Sequence, residues 1–128
     1  MSDTAEPPGA PYDLVILGDV VLSDRVVAGG YVAVRGETIA AIGAGAPPPA
    51  TRLADHRGKL LMPGLVDGHM HTSSSTGWPG IEGATMSAAA GGVTTVCDMP
   101  YDVPNPVTTA AIFADKVEAV HRWSHVDM

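Results

Sequence analysis

Met62-Pro63-Gly64-Leu65-Val66-Asp67-Gly68-His69-Met70-His71 is the stretch on which the reading of this chain turns. Pro63-Gly64 is a turn signal, and the period of the sequence changes there. Leu65 to His71 reads as a strand. Side chains on a strand alternate faces, so Asp67, His69 and His71 point one way while Gly68 and Met70 point the other. Two imidazoles at i and i+2 can share one metal ion at nitrogen distances of about 2.0–2.1 Å. The pair falls at the carboxyl end of the strand, where α/β barrels and open sheets place their active sites. The plainer reading is a chance pair of histidines hydrogen-bonded to backbone at a loop mouth. Strand position and the preceding Pro-Gly-Leu-Val-Asp favour ligands.

Downstream, Thr72 to Gly80 is a polar loop rich in Ser and Gly. Ile81, Ala84, Thr85, Ala88 and Ala89 fall at i, i+3, i+4, i+7 and i+8, the spacing of one helical face. Gly91-Gly92 supplies the left-handed stop. Val93 to Asp98 is a second strand, rich in β-branched residues. Three prolines between Met99 and Val107 make a loop. Thr108 or Thr109 caps a second helix running to about Arg122, and Ser124 to Met128 begins a third strand. Strand and helix in alternation, with nearly continuous apolar strands, indicate a parallel sheet with helical crossovers.

Upstream, short β-branched runs punctuated by turn chemistry indicate an antiparallel all-β module over residues 12–62. The runs are Leu14–Leu17, Val20–Leu22, Val26-Val27, Tyr31–Arg35 and Thr38–Ile42, with turns expected at Gly18-Asp19, Ser23-Asp24, Gly29-Gly30 and Gly36-Glu37. Gly43 to Pro49 is expected as surface loop, and Leu53 to Met62 as one more strand pair about Asp55–Gly58. Residues 1–11, with three prolines and two acids, read as a disordered leader. Residues 63–128 then form the first βα units of a larger structure. Two and a half parallel strands leave an uncovered core, so the expectation is the N-terminal part of a longer protein.

Composition narrows the function classes. The 128 residues include 7 Lys+Arg against 14 Asp+Glu, a net charge of −7. With no basic cluster, phosphate backbones have nothing to grip them, and nucleic acid is not an expected partner. No apolar run reaches the 18 or so residues of a membrane span. The acidic opening is unlike a signal peptide, so a cytoplasmic location is expected. One cysteine, Cys97, excludes an internal disulfide and a Cys-rich zinc cage.

The decisive stretch resembles the first barrel strand of the amidohydrolase superfamily, whose usual form is apolar-Pro-Gly-apolar-apolar-Asp-x-His-x-His. Asp13–Ile16 and Gly36–Gly43 resemble its N-terminal β-sandwich segment. Trp78-Pro79-Gly80-Ile81-Glu82-Gly83-Ala84-Thr85 is similar to the Trp-x-Gly-x-Glu-x-x-Thr stretch of allantoinases. Ala88 to Val96 and Asp98-Met99-Pro100 match the allantoinase, hydantoinase and dihydroorotase branch. Together these cover nearly all of residues 12–128. The fold implied is α/β, the start of a (β/α)₈ TIM barrel preceded by a small β-sandwich segment.

The resemblance implies an enzyme that opens a ring C–N amide bond with a metal-activated hydroxide, allantoinase-like first and hydantoinase- or dihydropyrimidinase-like next. It implies two zinc ions, with His69 and His71 binding the more buried one. A carboxylated lysine, two further histidines and a catalytic aspartate are expected downstream of Met128, since Lys116 falls within the second helix and not at a strand end. The chain alone is therefore expected to be inactive. The implied substrate is a small cyclic ureide or imide, and the full-length protein is expected as a homo-oligomer. Readings from other classes are a non-catalytic barrel homologue, which has no need of two strand-end imidazoles, and an inactive truncated remnant.

Three further residues belong to the candidate site. Asp67 either supports the ligands from behind or has a strand-end structural role. Ser73 stands where dihydroorotases carry an arginine for the substrate carboxylate, and a neutral hydroxyl cannot replace a bidentate guanidinium. Asp102 stands where relatives place a substrate-contacting Asn, so it either selects a ligand richer in N–H donors or faces solvent. Trp78 is expected in packing, Glu82 in the first turn of a helix, and Cys97 as a buried small hydrophobe. His56, His121 and His125 are expected at the surface.

Overall fold

The computed structural model describes residues 11–72, 77–100 and 103–128. The chain is mixed α/β and richest in sheet toward its N-terminus, and it divides into two compact units, residues 1–63 and 64–128.

In the first unit, β1 (Tyr12–Val21), β2 (Val26–Arg35), β3 (Thr38–Ala44) and β4 (Ala50–Leu61) form one sheet in the order β3-β2-β1-β4. The β1–β2 and β2–β3 pairs are antiparallel, as expected. The β1–β4 pair is parallel, which corrects the all-antiparallel expectation. Fewer breaks interrupt the strands than the turn signals suggested. Gly18-Asp19 is a bulge inside β1, where the ladder shifts register against both neighbours. There the Asp19 carboxylate accepts a hydrogen bond from the Gly29 amide at 2.8 Å, so the residue read as a turn-former ties two strands together. β2 runs straight through Gly29-Gly30, and β4 is one strand where a pair was expected. Gly36-Glu37 does turn: Arg35 pairs with Thr38, and Gly36 takes φ +57°, the conformation a two-residue hairpin asks of glycine. Its amide donates to the Asp13 carboxylate at 2.6 Å.

Alternation along β1 buries Val15 and Leu17, which pack with Ala33 and, at the margin, with Tyr12, Tyr31, Ala41 and Ala50. β3 extends to Ala44, taking in the first two residues of the expected loop, because Gly43 and Ala44 still pair with Tyr31 and Gly30. A Cβ on Gly43 would sit 2.5 Å from the Tyr31 phenolic oxygen, so a larger residue would have to displace the Tyr31 ring.

In the second unit, β5 (Leu65–Met70) and β6 (Val93–Asp98) pair in parallel, with α1 (Gly80–Ala90) between them in sequence and α2 (Ala110–Trp123) after β6. The elements follow the sequence period closely. Ile81, Thr85 and Ala88 are the buried face of α1, and Gly91-Gly92 closes it with Gly92 at φ +83°. Thr109 caps α2, its side chain accepting from the Ile112 amide at 3.2 Å. Of the third strand expected over Ser124 to Met128, the structure shows a single parallel bridge, Thr95 with Asp127, and no strand. Trp78, Ile81 and Ala119 form the core, flanked by Val107, Ile112, Val120 and Met128. Burying an isoleucine completely contributes about 1.5–3 kcal/mol, and Ile81 is fully buried at the point where α1 begins. Among the described residues no helix is long and apolar enough to cross a membrane.

Candidate metal centre

β5 carries the histidines to the end of a parallel strand. His69 lies within it and His71 just beyond, both exposed. Their rings converge: Nε2 of His69 and Nε2 of His71 are 3.1 Å apart, with ring centroids 5.1 Å apart and planes inclined at 53°. At that distance one ring can donate to the other when their tautomers differ. The same distance fits a shared cation, because two nitrogens bound at about 2.1 Å and a tetrahedral angle lie roughly 3.4 Å apart. Imidazole nitrogen suits zinc and its neighbours among the transition metals. The pair supplies two donors, whereas a catalytic zinc takes three protein ligands. Among the described residues no group of three or more His, Cys, Asp or Glu gathers to hold an ion.

Asp67 sits on the same strand face, and its Oδ1 accepts from the main-chain amide of His69 at 3.0 Å. The carboxylate therefore fixes backbone within the His-x-His segment and does not meet a ring. Ser73 and Asp102 lie outside the described residues. His56, His121 and His125 are exposed.

The residues beside the histidines hold a network that sequence reading missed. Thr72 is almost fully buried. Its amide and its hydroxyl both donate to Oδ1 of Asp98, at 2.9 and 2.8 Å. Oδ2 of Asp98 accepts from the Lys116 ammonium, and both side chains of this ion pair are about nine-tenths buried. The ammonium also stands 4.9 Å from the centre of the Trp78 ring, a cation–π contact. The Trp78 indole N–H donates to Asp115 at 2.8 Å. The sequence places Thr72 at the start of a polar loop. The available signal was Lys116 itself, which interrupts the apolar stripe Ile112, Ala119, Val120 of α2. A lysine on a buried face needs a charged partner.

The allantoinase-like stretch also acquires a physical basis. Trp78 is buried in the core with φ +55°, a left-handed conformation unusual for a bulky residue. Thr85, four residues into the turn of α1 from Ile81, donates to the Ile81 carbonyl at 2.7 Å and accepts from the His125 amide at 3.1 Å. It thereby ties the segment after α2 to α1. Glu82 lies in the first turn of α1. Cys97 is exposed, which corrects its expected burial: strand alternation turns Val96 inward and Cys97 outward.

The second unit is thus an α/β arrangement, a parallel strand pair with a helix after each strand and two converging imidazoles at the end of the first strand. The described fold is similar to L-hydantoinase (dihydropyrimidinase) from Arthrobacter aurescens, with a TM-score of 0.78 and 32% identity over 91% of this chain and 26% of that one. Residues 58–122 match the family described as Dihydro-orotase-like, and the chain belongs to that family. Allantoinase of Streptomyces avermitilis is 40% identical over 83 residues, 63% of this chain and 19% of that protein. Allantoinase of Rubrobacter xylanophilus is 34% identical over 122 residues, 91% of this chain and 26% of that protein. The chain thus spans about a quarter or less of the length of these relatives.

Proposed function

We propose that this chain is the N-terminal portion of a metal-dependent cyclic amidohydrolase of allantoinase type, and that His69 and His71 are two of its metal ligands. The convergence of the two Nε2 atoms at a parallel strand end is the observation that carries the reading. Likeness to allantoinases and to a hydantoinase supports the substrate class, a small cyclic ureide or imide. In this reading β5 and β6 are the first two strands of a (β/α)₈ barrel. Residues 12–62 are then the sandwich segment and residues 63–128 the opening βα units. The protein is cytoplasmic and homo-oligomeric, and the metal is zinc.

A bound zinc supplies a water of lowered pKa and a centre that polarises the amide carbonyl. The chain's own residues do the holding and aiming. His69 and His71 present their Nε2 atoms to one another beside the strand end. Asp67, by accepting from the His69 amide, fixes the backbone from which that ring departs. Ser73 and Asp102 follow the two strands and are assigned to substrate contact. A serine at residue 73 disfavours a carboxylate-bearing ring such as dihydroorotate, because it offers no cation to bind it.

The test is made on the full-length protein. His69→Ala and His71→Ala are each expected to lower bound metal and abolish ring opening when allantoin, hydantoin and dihydrouracil are screened. Wild-type metal content with full activity in either variant refutes the ligand assignment. Turnover of hydantoin or dihydrouracil but not allantoin moves the assignment to the hydantoinase-like alternative.

A further inference from the structure

We propose that Asp98 is a positioning residue for the metal ligands, acting through Thr72 on His71. The proposal rests on the ligand reading above and extends it to residues that touch neither ring.

Asp98 ends β6 and Thr72 follows the end of β5, 26 residues apart in the sequence. In the fold they meet because β5 and β6 end side by side, Met70 opposite Asp98. The Met99 amide donates to the Met70 carbonyl at 2.8 Å, so the strands are still joined immediately before the histidine pair ends. At the next residue but one, the ladder gives way to a side-chain clamp. Both donors of Thr72, main-chain and hydroxyl, terminate on one oxygen of Asp98. Two bonds from one residue to one atom fix both the position and the rotation of its peptide, and that peptide carries the carbonyl of His71.

Asp98 is itself held from the far side by Lys116 of α2, whose ammonium is set against the Trp78 ring. Pairing in a region this dry holds the carboxylate in place, because both partners are hydrogen-bonded and little water competes. The clamp is therefore anchored to a helix of the core and not to solvent. Rotation of the Thr72 peptide would swing the His71 ring away from His69. Ligand geometry tolerates little such movement: supports behind metal ligands commonly carry 10- to 100-fold of affinity.

This clamp is separable from simple stabilisation by choosing the lightest variants. In full-length protein loaded with cobalt(II), Thr72→Val keeps shape and main-chain amide but removes the hydroxyl. It is expected to weaken metal binding about 10-fold or more in chelator competition, while Thr72→Ser stays within about threefold of wild type. Thr72→Val is also expected to change the visible cobalt spectrum, and to speed amide exchange across residues 69–72 in the metal-free protein. Asp98→Asn keeps an acceptor for Thr72 but loses the charge facing Lys116, and is expected to weaken metal binding similarly. Should Asp98→Asn fail to fold, the Thr72 pair decides. Wild-type affinity and spectrum in Thr72→Val overturn the proposal, as does an equal loss in Thr72→Ser. If His69→Ala and His71→Ala keep full metal content, the ligand reading fails and the proposal with it. Metal that depends on both histidines but is indifferent to Thr72→Val refutes the clamp alone.

Discussion

Gly64 is where the two halves of the decisive motif are physically constrained, and replacing it tests the packing argument most directly. A Cβ built on Gly64 would lie 2.2 Å from both Cγ2 and Oγ1 of Thr94 and 2.7 Å from its Cβ, where ordinary contact is 3.4–4 Å. Rotating the threonine moves the first two atoms but leaves Cβ in place, so Gly64→Ala must push β5 and β6 apart at their shared start. There the Leu65 amide donates to the Gly92 carbonyl at 2.9 Å. Forcing a methyl into a filled space costs about 1–3 kcal/mol. The assay is native-state amide exchange of residues 65–70 and 93–98 in the full-length protein, which reads the free energy of local opening. At a factor of ten per 1.4 kcal/mol, those amides should exchange roughly 5- to 150-fold faster. In a Thr94→Gly background the clash has no partner and Gly64→Ala should lose most of its effect. Glycine in a strand has its own cost of about 0.5–1 kcal/mol, so the comparison is a double-mutant cycle. Wild-type exchange in Gly64→Ala, or the same acceleration with and without Thr94, refutes the reasoning.

Two further outcomes are expected. Asp55, clasped by the Arg57 guanidinium on an exposed stretch of β4, has its carboxyl held down to about 2 from an ordinary 3.8, chiefly by the side-chain hydrogen bonds and then by the Arg57 amide. A depressed value means the pair's contribution is complete above 3.8 and fades as pH falls through about 2. An NMR titration of the Asp55 carboxyl should show this, with Arg57→Gln returning the midpoint toward 3.8. Thr109→Ala removes the acceptor for the Ile112 amide at the start of α2. It should destabilise that helix by about 1 kcal/mol, seen as faster exchange confined to its first turn, and Thr109→Ser should retain protection.

The second unit was legible because its signals are local and agree with one another. The face of α1, its glycine stop, the cap of α2 and the alternation that gathers His69 with His71 each follow from spacing within a dozen residues. The first unit was harder. Gly18-Asp19 and Gly29-Gly30 carry turn chemistry, yet Asp19 spends it on the Gly29 amide across the sheet, so two apparent breaks become one cross-strand bond. The parallel partner of β1 was invisible for a related reason: pairing direction is decided by how the chain returns, not by strand composition. Within the site, the imidazole pair could be read from a strand repeat of two, whereas Thr72, Asp98 and Lys116 come from a loop, a strand and a helix and share no period. Only the misplaced charge on the apolar side of α2 announced them.

Under the proposed ligand role of His69 and His71, the nearness of the two imidazoles has a kinetic consequence. Rings that already stand 3.1 Å apart need little rearrangement to meet a shared ion, which lowers the ordering cost of capture. An incoming cation would then find its first two donors waiting, and the speed of loading would be governed by how fast the ion sheds water and gains its remaining donors, with no search by the polypeptide. Loosening the strand exit would show up first as sluggish uptake.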